Sequence, residues 1–360
     1  MPLRLLPKWA IRRSLVNWLS PCNMLELRVD GIKWELPNTA TFYLVEKIVR
    51  PVPYKAGQFL TFVFDHHGEE IRRSYSLSSS PDDSRLAITV KRISNGEISR
   101  FLLSKVKVGD ILTAIEPAGV FTVGNYEAEK DIVYFAAGSG ITPVLSHLKY
   151  MLNRKGSSKL HLLYSNRDKA SILFHNELTE LEHKYPDRLN ITYLLSSDAN
   201  RLNNYKVEQL VKQQLQFSAS LAEFYICGPF PYIRMIGLTL LYMGIEPAQI
   251  HRENFVLETV PVTGTFKTYP PQNIRINYLG EWHDIPVGEN QSILQAALQN
   301  GIPLPYSCRH GICSTCVANC KTGVVEMARN EVLTPADIAA GRILTCTGHP
   351  ITDDVVIEYP

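Results

Sequence analysis

The sequence predicts a chain of three domains, in which an antiparallel β-barrel is followed by a parallel α/β sheet and then by a small module built around cysteines. Its 360 residues exceed the usual size of one hydrophobic core. Short β-prone runs between turn residues fill 24–126, whereas apolar strands alternate with amphipathic helix-length segments over 127–257. After a Pro- and Thr-rich linker at 258–272, closely spaced cysteines mark the third domain at 273–360.

The barrel and the parallel sheet are predicted from two different sequence patterns of their strands. The runs that indicate the barrel are Leu60–Phe64, Leu86–Val90 and Ile111–Ile115. The apolar strands that indicate the parallel sheet are Ile132–Ala136, His161–Tyr164 and Phe224–Cys227. The sequence shows no internal repeat and no low-complexity tract.

Three cysteines of the third domain share one short loop, and a fourth follows near the C-terminus. They are Cys308, Cys313, Cys316 and Cys346. This C-x4-C-x2-C…C spacing is that of a plant-type [2Fe–2S] cluster, because three thiolates on a tight loop wrap the cluster and a distant fourth closes it. A structural zinc site and reduced buried thiols are the alternatives. Zinc sites usually show two separated C-x2-C pairs, which this segment lacks.

The fourth ligand is either Cys346 or Cys320. Cys346 lies at the end of a short apolar run that finishes in a turn, which can return a strand end to the cluster loop. Cys320 lies in a predicted strand, where a free cysteine often acts as a small buried hydrophobe. We therefore expect Cys346 to be the ligand.

Composition narrows the class of protein. With 45% hydrophobic and 20% charged residues the chain is predicted to be soluble and globular, and its seven cysteines suit a reducing compartment, so the cytoplasm is expected. No apolar run has the length of a membrane span, and a signal-peptide core is absent. The net charge is +2, yet the third domain carries 5 basic against 9 acidic residues, which can guide one module onto another. Nothing resembles the basic clusters of a nucleic-acid binder.

A glycine-rich turn follows the first strand of the predicted sheet and opens a helix-like run at 144–152. Gly138 and Gly140 let the backbone approach a pyrophosphate at a helix N-terminus, where free amides and the helix dipole favour anions. An ordinary tight turn is the alternative. Pro143 replaces the last glycine of the usual dinucleotide fingerprint, so the match is not a standard one.

A second group of candidate ligands lies in the barrel half. The arginine of Arg73-Ser74-Tyr75-Ser76 can neutralise a diphosphate, its tyrosine can stack on a planar ring, and its serine can bond a ring nitrogen. Lys91 follows, and the stretch 96–99 precedes a predicted helix at 100–105, where its amides can meet phosphate. Each feature has an ordinary alternative: a surface cation, a strand aromatic or a helix cap.

Five motifs occur in a fixed order along the chain: Arg-x-Tyr-Ser, Gly-x-x-Ser, Gly-x-Gly-x-x-Pro, Cys-Gly-Pro at 227–229 and Glu-x-Phe at 253–255. In this order the chain resembles the ferredoxin:NADP reductase superfamily from Met24 to the end. With its C-terminal cluster module it is similar to the reductases of phenylacetyl-CoA epoxygenase, of hybrid-cluster protein and of Rieske-type oxygenases. The resemblance implies a six-stranded flavin-binding barrel, a nucleotide-binding α/β domain and a β-grasp ferredoxin domain.

The resemblance also implies roles for residues. Those on the flavin, taken as FAD, are Arg73, Tyr75, Ser76, Lys91, Gly96, Ile98, Ser99 and Phe255. Those on the pyridine nucleotide are Gly138, Gly140, Thr142, Arg167, Cys227 and Gly228. Ser76, near the reactive flavin nitrogen, and Cys227 and Glu253, beside the nicotinamide, are the expected catalytic residues. For Cys227 the alternative is a small buried residue at a strand end.

Electron counting joins these groups into one function. A nicotinamide gives up two electrons as a hydride, whereas an iron–sulfur cluster accepts one, so a flavin between them must hold the other. We therefore expect an NAD(P)H-dependent reductase that passes single electrons to an acceptor protein, foremost an oxygenase component. A desaturase or a hybrid-cluster protein is the alternative acceptor. A redox sensor that binds nucleotide without turnover is the alternative function.

Two features leave choices open. Arg167 follows the second strand of the α/β domain, where a cation suits the 2′-phosphate of NADPH, although a solvated loop arginine is the alternative. The basic amphipathic segment at 1–23 is expected to be a helix that packs on the barrel, or one that rests on a membrane surface or on the acceptor.

Overall fold

The computed structural model describes residues 24–47, 51–66, 69–94, 96–124, 128–198, 200–255 and 268–359. The predicted N-terminal helix and most of the predicted linker lie outside these ranges. Within them the chain forms an antiparallel sheet, a parallel sheet and a mixed sheet in that order, which confirms the predicted fold class.

The first domain is a six-stranded antiparallel barrel in the described residues. Its strands run in the order β4-β3-β6-β1-β2-β5, and a bridge between Leu77 and Ile88 joins the two edges. Along β1 buried Leu25, Leu27 and Val29 alternate with polar residues, as expected when one face of a strand meets the core. The elements are β1 Met24–Leu36, β2 Thr39–Glu46, β3 Phe59–His66, β4 Glu69–Ser76, β5 Leu86–Lys91, α1 Glu97–Lys105 and β6 Ile111–Ala118.

Helix α1 begins at Glu97, three residues before the predicted start at Arg100. Ile98 and Leu102, four positions apart, are buried in the core of the barrel, and this contact extends the helix toward its N-terminus. The prediction that 96–99 precedes the helix is therefore wrong: Gly96 is the N-cap, and Ser99 lies in the first turn.

The second domain is a five-stranded parallel sheet, in the described residues, with the order β11-β10-β7-β8-β9. Its central strands are buried on both faces: along β7, Val133 and Phe135 enter one core while Ile132 and Tyr134 enter the other. The elements are β7 Asp131–Ala137, α2 Ile141–Leu152, β8 Lys159–Asn166, α3 His175–Lys184, β9 Leu189–Leu195, α4 Asn204–Gln214, β10 Glu223–Cys227, α5 Phe230–Tyr242 and β11 Ile250–Glu253.

The third domain has a mixed sheet in the order β13-β12-β18-β14-β16, in which β12 and β18 are parallel. Helix α6, which begins with a capping box at Ser292, buries Ile293 and Ala297 in the core of this domain. The elements are β12 Gln272–Tyr278, β13 Glu281–Val287, α6 Ile293–Gln299, β14 Val317–Thr322, β15 Val325–Met327, α7 Pro335–Ala339, β16 Arg342–Leu344, β17 Gly348–Pro350 and β18 Val356–Glu358.

The described end of the predicted linker packs on the third domain. The Tyr269 ring stacks on His349 with centroids 4.0 Å apart, and the Tyr269 amide donates to Asn290 Oδ1 at 2.9 Å. Strand β12 then begins at Gln272. Among the described residues, no helix combines the length and the hydrophobicity that crossing a bilayer requires.

Candidate electron-transfer site

The four cysteines of the predicted cluster converge in the third domain. Cys313 Sγ lies 3.1 Å from Cys308 Sγ, and Cys346 hydrogen-bonds with both Cys308 and Cys316. Hydrogen bonds from Cys313 and then Cys346 lower the pKa of Cys308, whereas the bonds to Cys308 raise the pKa values of Cys313 and Cys346, so the neighbouring thiols stabilise a thiolate at Cys308. Backbone amides also point at sulfur: His310 N donates to Cys308 Sγ at 3.3 Å. The donor set fits a [2Fe–2S] cluster held by thiolates.

The segment that carries Cys346 is tied to the cluster loop next to the sulfur atoms. Buried Thr345 donates to the carbonyl oxygen of Cys316 through both its amide, at 3.2 Å, and its hydroxyl, at 3.1 Å. Cys320 instead lies on β14 as expected, where its Sγ donates to Thr322 O at 3.1 Å. This geometry favours Cys346 as the fourth ligand.

The nucleotide candidates meet at one edge of the parallel sheet, at the carboxyl ends of its strands. Cys227, which ends β10, pairs in register with Ala136 of β7 and with Glu253 of β11. Exposed Arg167 follows β8, and half-exposed Phe255 follows β11. The carboxyl edge of an open α/β sheet is where such folds bind nucleotides.

The glycine-rich turn between β7 and α2 is closely fitted to β10. A Cβ on Gly140 would lie 2.2 Å from Cys227 O, so only glycine allows this approach. Gly138 has φ +54° and open space where its Cβ would be, and its carbonyl accepts from Tyr164 Oη at 3.0 Å. Thr142 Oγ1 donates to Ser139 O at 2.9 Å and closes the first turn of the helix. The open side of the turn fits an approaching pyrophosphate.

Two buried acids lie side by side at this edge. Burial raises the pKa of Glu253 to about 8, and Glu253 Oε2 has no hydrogen-bond partner in the described residues. Burial, and then the Glu253 carboxylate, raise the pKa of the Cys227 thiol well above its ordinary value. Gly228 follows directly, packed on Ala137 and Tyr232. At neutral pH the Glu253 carboxyl and the Cys227 thiol are therefore both mainly uncharged. The unpartnered Glu253 oxygen could form its hydrogen bond with a bound ligand.

The elevated pKa of Glu253 predicts a pH-dependent stability. The pKa of Glu253 is about 8 in the folded protein and 4.5 ordinarily. The contribution of Glu253 to the free energy of unfolding is therefore fully present below pH 4.5, and it is lost as the pH rises through 8. Glutamine imitates the protonated carboxyl and cannot ionise. In Glu253→Gln we therefore expect the free energy of unfolding to fall less between low and high pH, by up to about 5 kcal/mol. Melting temperatures of both proteins at pH 5, 6.5 and 8.5 check this; parallel pH profiles would contradict it.

Strand β4 carries the flavin candidates. Arg73 and Tyr75 pair in register with Phe62 and Leu60 of β3, so both side chains lie on the same face of β4. The Tyr75 ring packs edge-on against Phe62 with centroids 6.0 Å apart, and burial raises the Tyr75 pKa. Arg73 is exposed, while Ser76 is buried on the opposite face. An exposed guanidinium beside a half-buried ring fits a flavin diphosphate and ring system.

Of the remaining flavin candidates, Phe255 follows β11 of the parallel sheet, and the others lie at the end of β5 and around the start of α1. Gly96 is an N-cap without a side-chain cap, which fits a helix end that meets phosphate. Ser99 Oγ is used inside the turn, where it donates to Gly96 O at 3.0 Å and accepts from the Ile93 amide at 3.1 Å. Ile98 is buried, so only its backbone remains for a ligand, and Lys91 is exposed at the end of β5.

The cluster loop contacts the opposite face of β4, a contact that the sequence did not indicate. Arg72 Nη1 donates to Tyr306 O at 3.1 Å, and the guanidinium carbon lies 3.7 Å from the centre of the Tyr306 ring. The hydroxyls of Ser74 and Ser307 are 2.8 Å apart. Tyr306 and Ser307 directly precede Cys308 in the chain. The cluster loop is therefore held against the strand that carries the flavin candidates.

The α/β domain is fastened to the barrel just beyond the same strand. Ser146 Oγ of α2 donates to Ser79 O at 2.5 Å, and Lys149 forms an ion pair with Asp83. His147 Nε2 lies 3.0 Å from Phe121 O, and burial lowers the His147 pKa to about 3, so this imidazole stays neutral. These contacts hold helix α2, which follows the glycine-rich turn, against the barrel segments that follow β4 and β6.

Comparison with known families agrees with this domain order. Residues 36–123 match the oxidoreductase FAD-binding domain, 135–237 the oxidoreductase NAD-binding domain, and 276–350 the 2Fe-2S iron-sulfur cluster binding domain. The predictions of FAD, a pyridine nucleotide and a [2Fe–2S] cluster are thereby confirmed.

Known proteins resemble the chain over nearly its whole length. It is 34% identical to the ferredoxin reductase component of 3-ketosteroid-9-alpha-monooxygenase from Rhodococcus rhodochrous, over 92% of this chain and 96% of the relative. It is 31% identical to one of the subunits of 1,2-phenylacetyl-CoA epoxidase from Escherichia coli K12, over 89% and 93%. The structure of phthalate dioxygenase reductase covers 93% of this chain and 98% of its own, with a TM-score of 0.59 and 23% identity.

Proposed function

The chain belongs to the ferredoxin:NADP reductase superfamily, in the branch with a C-terminal [2Fe–2S] domain, and on that premise we propose that it supplies single electrons to an oxygenase component. It is an NAD(P)H-dependent oxidoreductase, since it has the oxidoreductase FAD-binding and NAD-binding domains and a relative that is named a ferredoxin reductase component. The identity of the acceptor and the roles of individual residues belong to the proposal.

One observation carries the proposal: a short stretch of chain, Glu70–Ser79, touches both other domains. Its first half meets Tyr306 and Ser307 of the cluster loop, and its end meets Ser146 of the nucleotide domain. The motif Arg73-Ser74-Tyr75-Ser76 lies between these contacts. Hydride entry and electron exit can thus take place on two sides of one flavin strand.

When bound, the nicotinamide would donate two electrons as a hydride, and a flavin between it and the cluster would allow these electrons to leave one at a time. The protein orients these groups. Arg73 would neutralise the diphosphate, and Tyr75 would support the flavin ring. Cys227 and neutral Glu253 would pack beside the nicotinamide without adding charge where hydride leaves.

The acceptor is proposed from the relatives and from the cluster loop. One relative is by name the ferredoxin reductase component of a monooxygenase, and the other belongs by name to an epoxidase. Arg309 and His310, next to Cys308, are exposed and therefore accessible to a partner protein. We propose that the acceptor docks over these two residues.

Spectroscopy and turnover together test the proposed function. Purified protein should show flavin absorbance and, after reduction by NAD(P)H, the paramagnetic signal of a reduced [2Fe–2S] cluster. Adding an oxygenase component from the same cell should reoxidise the cluster and start substrate oxidation. Tight nucleotide binding without reduction of either group would contradict a reductase and favour a sensor.

The choice of coenzyme is tested at Arg167, which is exposed after β8. We propose that it meets the 2′-phosphate of NADPH, so Arg167→Ala should raise KM for NADPH about tenfold and leave KM for NADH within about twofold. Steady-state kinetics with both coenzymes measure this. Equal changes for the two coenzymes would remove the phosphate role.

A further inference from the structure

Arg72 is a buried arginine to which the cofactors give no role. Its side chain is 4% exposed, although it lies next to exposed Arg73 on β4. Successive residues of a strand point to opposite faces, so Arg73 remains with the flavin candidates while Arg72 points toward the third domain. The two adjacent arginines therefore serve different contacts.

The Arg72 guanidinium is held by three interactions at once. Its Nε bonds Glu70 Oε1 at 2.6 Å, its Nη1 donates to Tyr306 O at 3.1 Å, and its plane covers the Tyr306 ring at 3.7 Å. Tyr306 Oη lies 3.4 Å from the same Glu70 oxygen, and Arg309 covers the ring at 4.3 Å. A planar guanidinium can donate hydrogen bonds along its edge and stack its face on an aromatic ring at the same time, whereas the ammonium group of lysine cannot do both.

This contact fixes the cluster loop at its entry. Tyr306 is two residues before Cys308, and Ser307, which meets Ser74, is one residue before it. On the barrel side, Arg72 and Ser74 alternate with Arg73 and Tyr75 along the same strand. A shift of the Arg72–Tyr306 contact would thus change the separation between the flavin candidates and the cluster ligands.

We propose that Arg72 is a positioning residue for electron transfer within the chain: by clamping Tyr306 it holds the cluster loop at electron-transfer distance from the flavin. The inference rests on the proposed function. Electron transfer from the flavin to the cluster should require the Arg72–Tyr306 contact. Hydride transfer from the nucleotide to the flavin should not require it.

The test follows the two steps separately in full-length holoprotein. Arg72→Ala, Arg72→Lys and unchanged protein are mixed with NADPH or NADH without oxygen, and flavin and cluster absorbance are recorded by stopped flow. We expect flavin reduction within about twofold of the unchanged protein and cluster reduction at least about tenfold slower in both variants, since small misplacements of reacting groups slow reactions strongly. Dithionite-reduced samples should keep the cluster's paramagnetic signal.

Hydrogen exchange of the same proteins provides a readout that does not depend on activity. Amides of 69–76 and 303–310 should exchange faster in both variants, while those of the α/β domain stay unchanged. Arg85→Ala is the matched control, because Arg85 also stacks on a tyrosine, Tyr43, at 4.4 Å and pairs with Asp30, but within the barrel. It should leave cluster reduction and the 303–310 amides unchanged.

Several results would overturn the inference. Cluster reduction at the unchanged rate in Arg72→Ala would exclude a positioning role, and equal slowing of both steps would indicate a general structural role. Full speed in Arg72→Lys would show that charge alone suffices. Unchanged protein whose flavin and cluster both resist NAD(P)H would contradict the proposed function itself, and this inference with it.

Discussion

Replacing Cys346 by serine is expected to abolish the [2Fe–2S] cluster while leaving the flavin in place. Cys346 is buried among the cluster sulfurs, and Thr345 ties its segment to Cys316 O. Serine has nearly the same volume, so the fold should persist, but its hydroxyl is a poor ligand for iron in place of a thiolate. Iron and sulfide analysis and the paramagnetic signal after reduction measure the loss.

The matched control is Cys320→Ser. Cys320 is on β14, and its sulfur donates to Thr322 O, a bond that a serine hydroxyl can replace. This variant should keep both the iron content and the spectrum. Loss of the cluster from Cys320→Ser and its survival in Cys346→Ser would reverse the assignment of the fourth ligand.

The Cys346 variant also separates the two halves of the electron path. The matched FAD-binding and NAD-binding domains precede the cluster domain, so NAD(P)H should still reduce the flavin of Cys346→Ser at close to the unchanged rate. Transfer to a protein acceptor should fall at least about a hundredfold, because the carrier that meets the acceptor is missing. Acceptor reduction that continues without the cluster would contradict the series arrangement.

Local chemistry made much of this molecule predictable. The spacing of the cluster cysteines reflects what a small inorganic core demands of one loop, and the structure gathers these side chains together. Gly140 was predicted as a residue that lets the backbone approach a pyrophosphate, whereas the close approach that the structure shows is to Cys227 O, where a Cβ would lie only 2.2 Å away. Strands of both sheets followed from apolar runs, because burial on one or two faces leaves a periodic trace in the sequence.

The contacts between domains left no such trace. Arg72 meets Tyr306 across 234 positions of the chain, and neither residue belongs to a spacing pattern. The motif Arg-x-Tyr-Ser singles out Arg73 in the sequence, but nothing there marks its neighbour Arg72, which the alternation of the strand turns toward the cluster loop. The early start of α1 was missed because tertiary burial of Ile98, rather than helix propensity, extends it.

The second large effect is expected at the glycine-rich turn between β7 and α2, where one added methyl group should weaken nucleotide binding. Gly138→Ala adds a methyl group in open space at φ +54°, so the fold should lose only about 1 to 2 kcal/mol from backbone strain. If a pyrophosphate binds at this turn as proposed, the same methyl would occupy the space through which it approaches. We expect KM for NADPH and NADH to rise at least about tenfold, with the melting temperature lowered by a few degrees.

Gly140→Ala should act differently, because its Cβ would lie 2.2 Å from Cys227 O and the end of β10 would have to move. We expect a loss of about 3 kcal/mol in stability together with severe loss of hydride transfer, since Cys227 moves with its carbonyl.

Gly244→Ala, at φ +81° after α5 with equally open space, is the control for strain alone. It should match Gly138→Ala in melting temperature and keep normal KM values. A rise in KM for Gly244→Ala as large as for Gly138→Ala would assign the effect to general strain, whereas a Gly140→Ala protein with normal stability and rate would show that the turn can yield without cost.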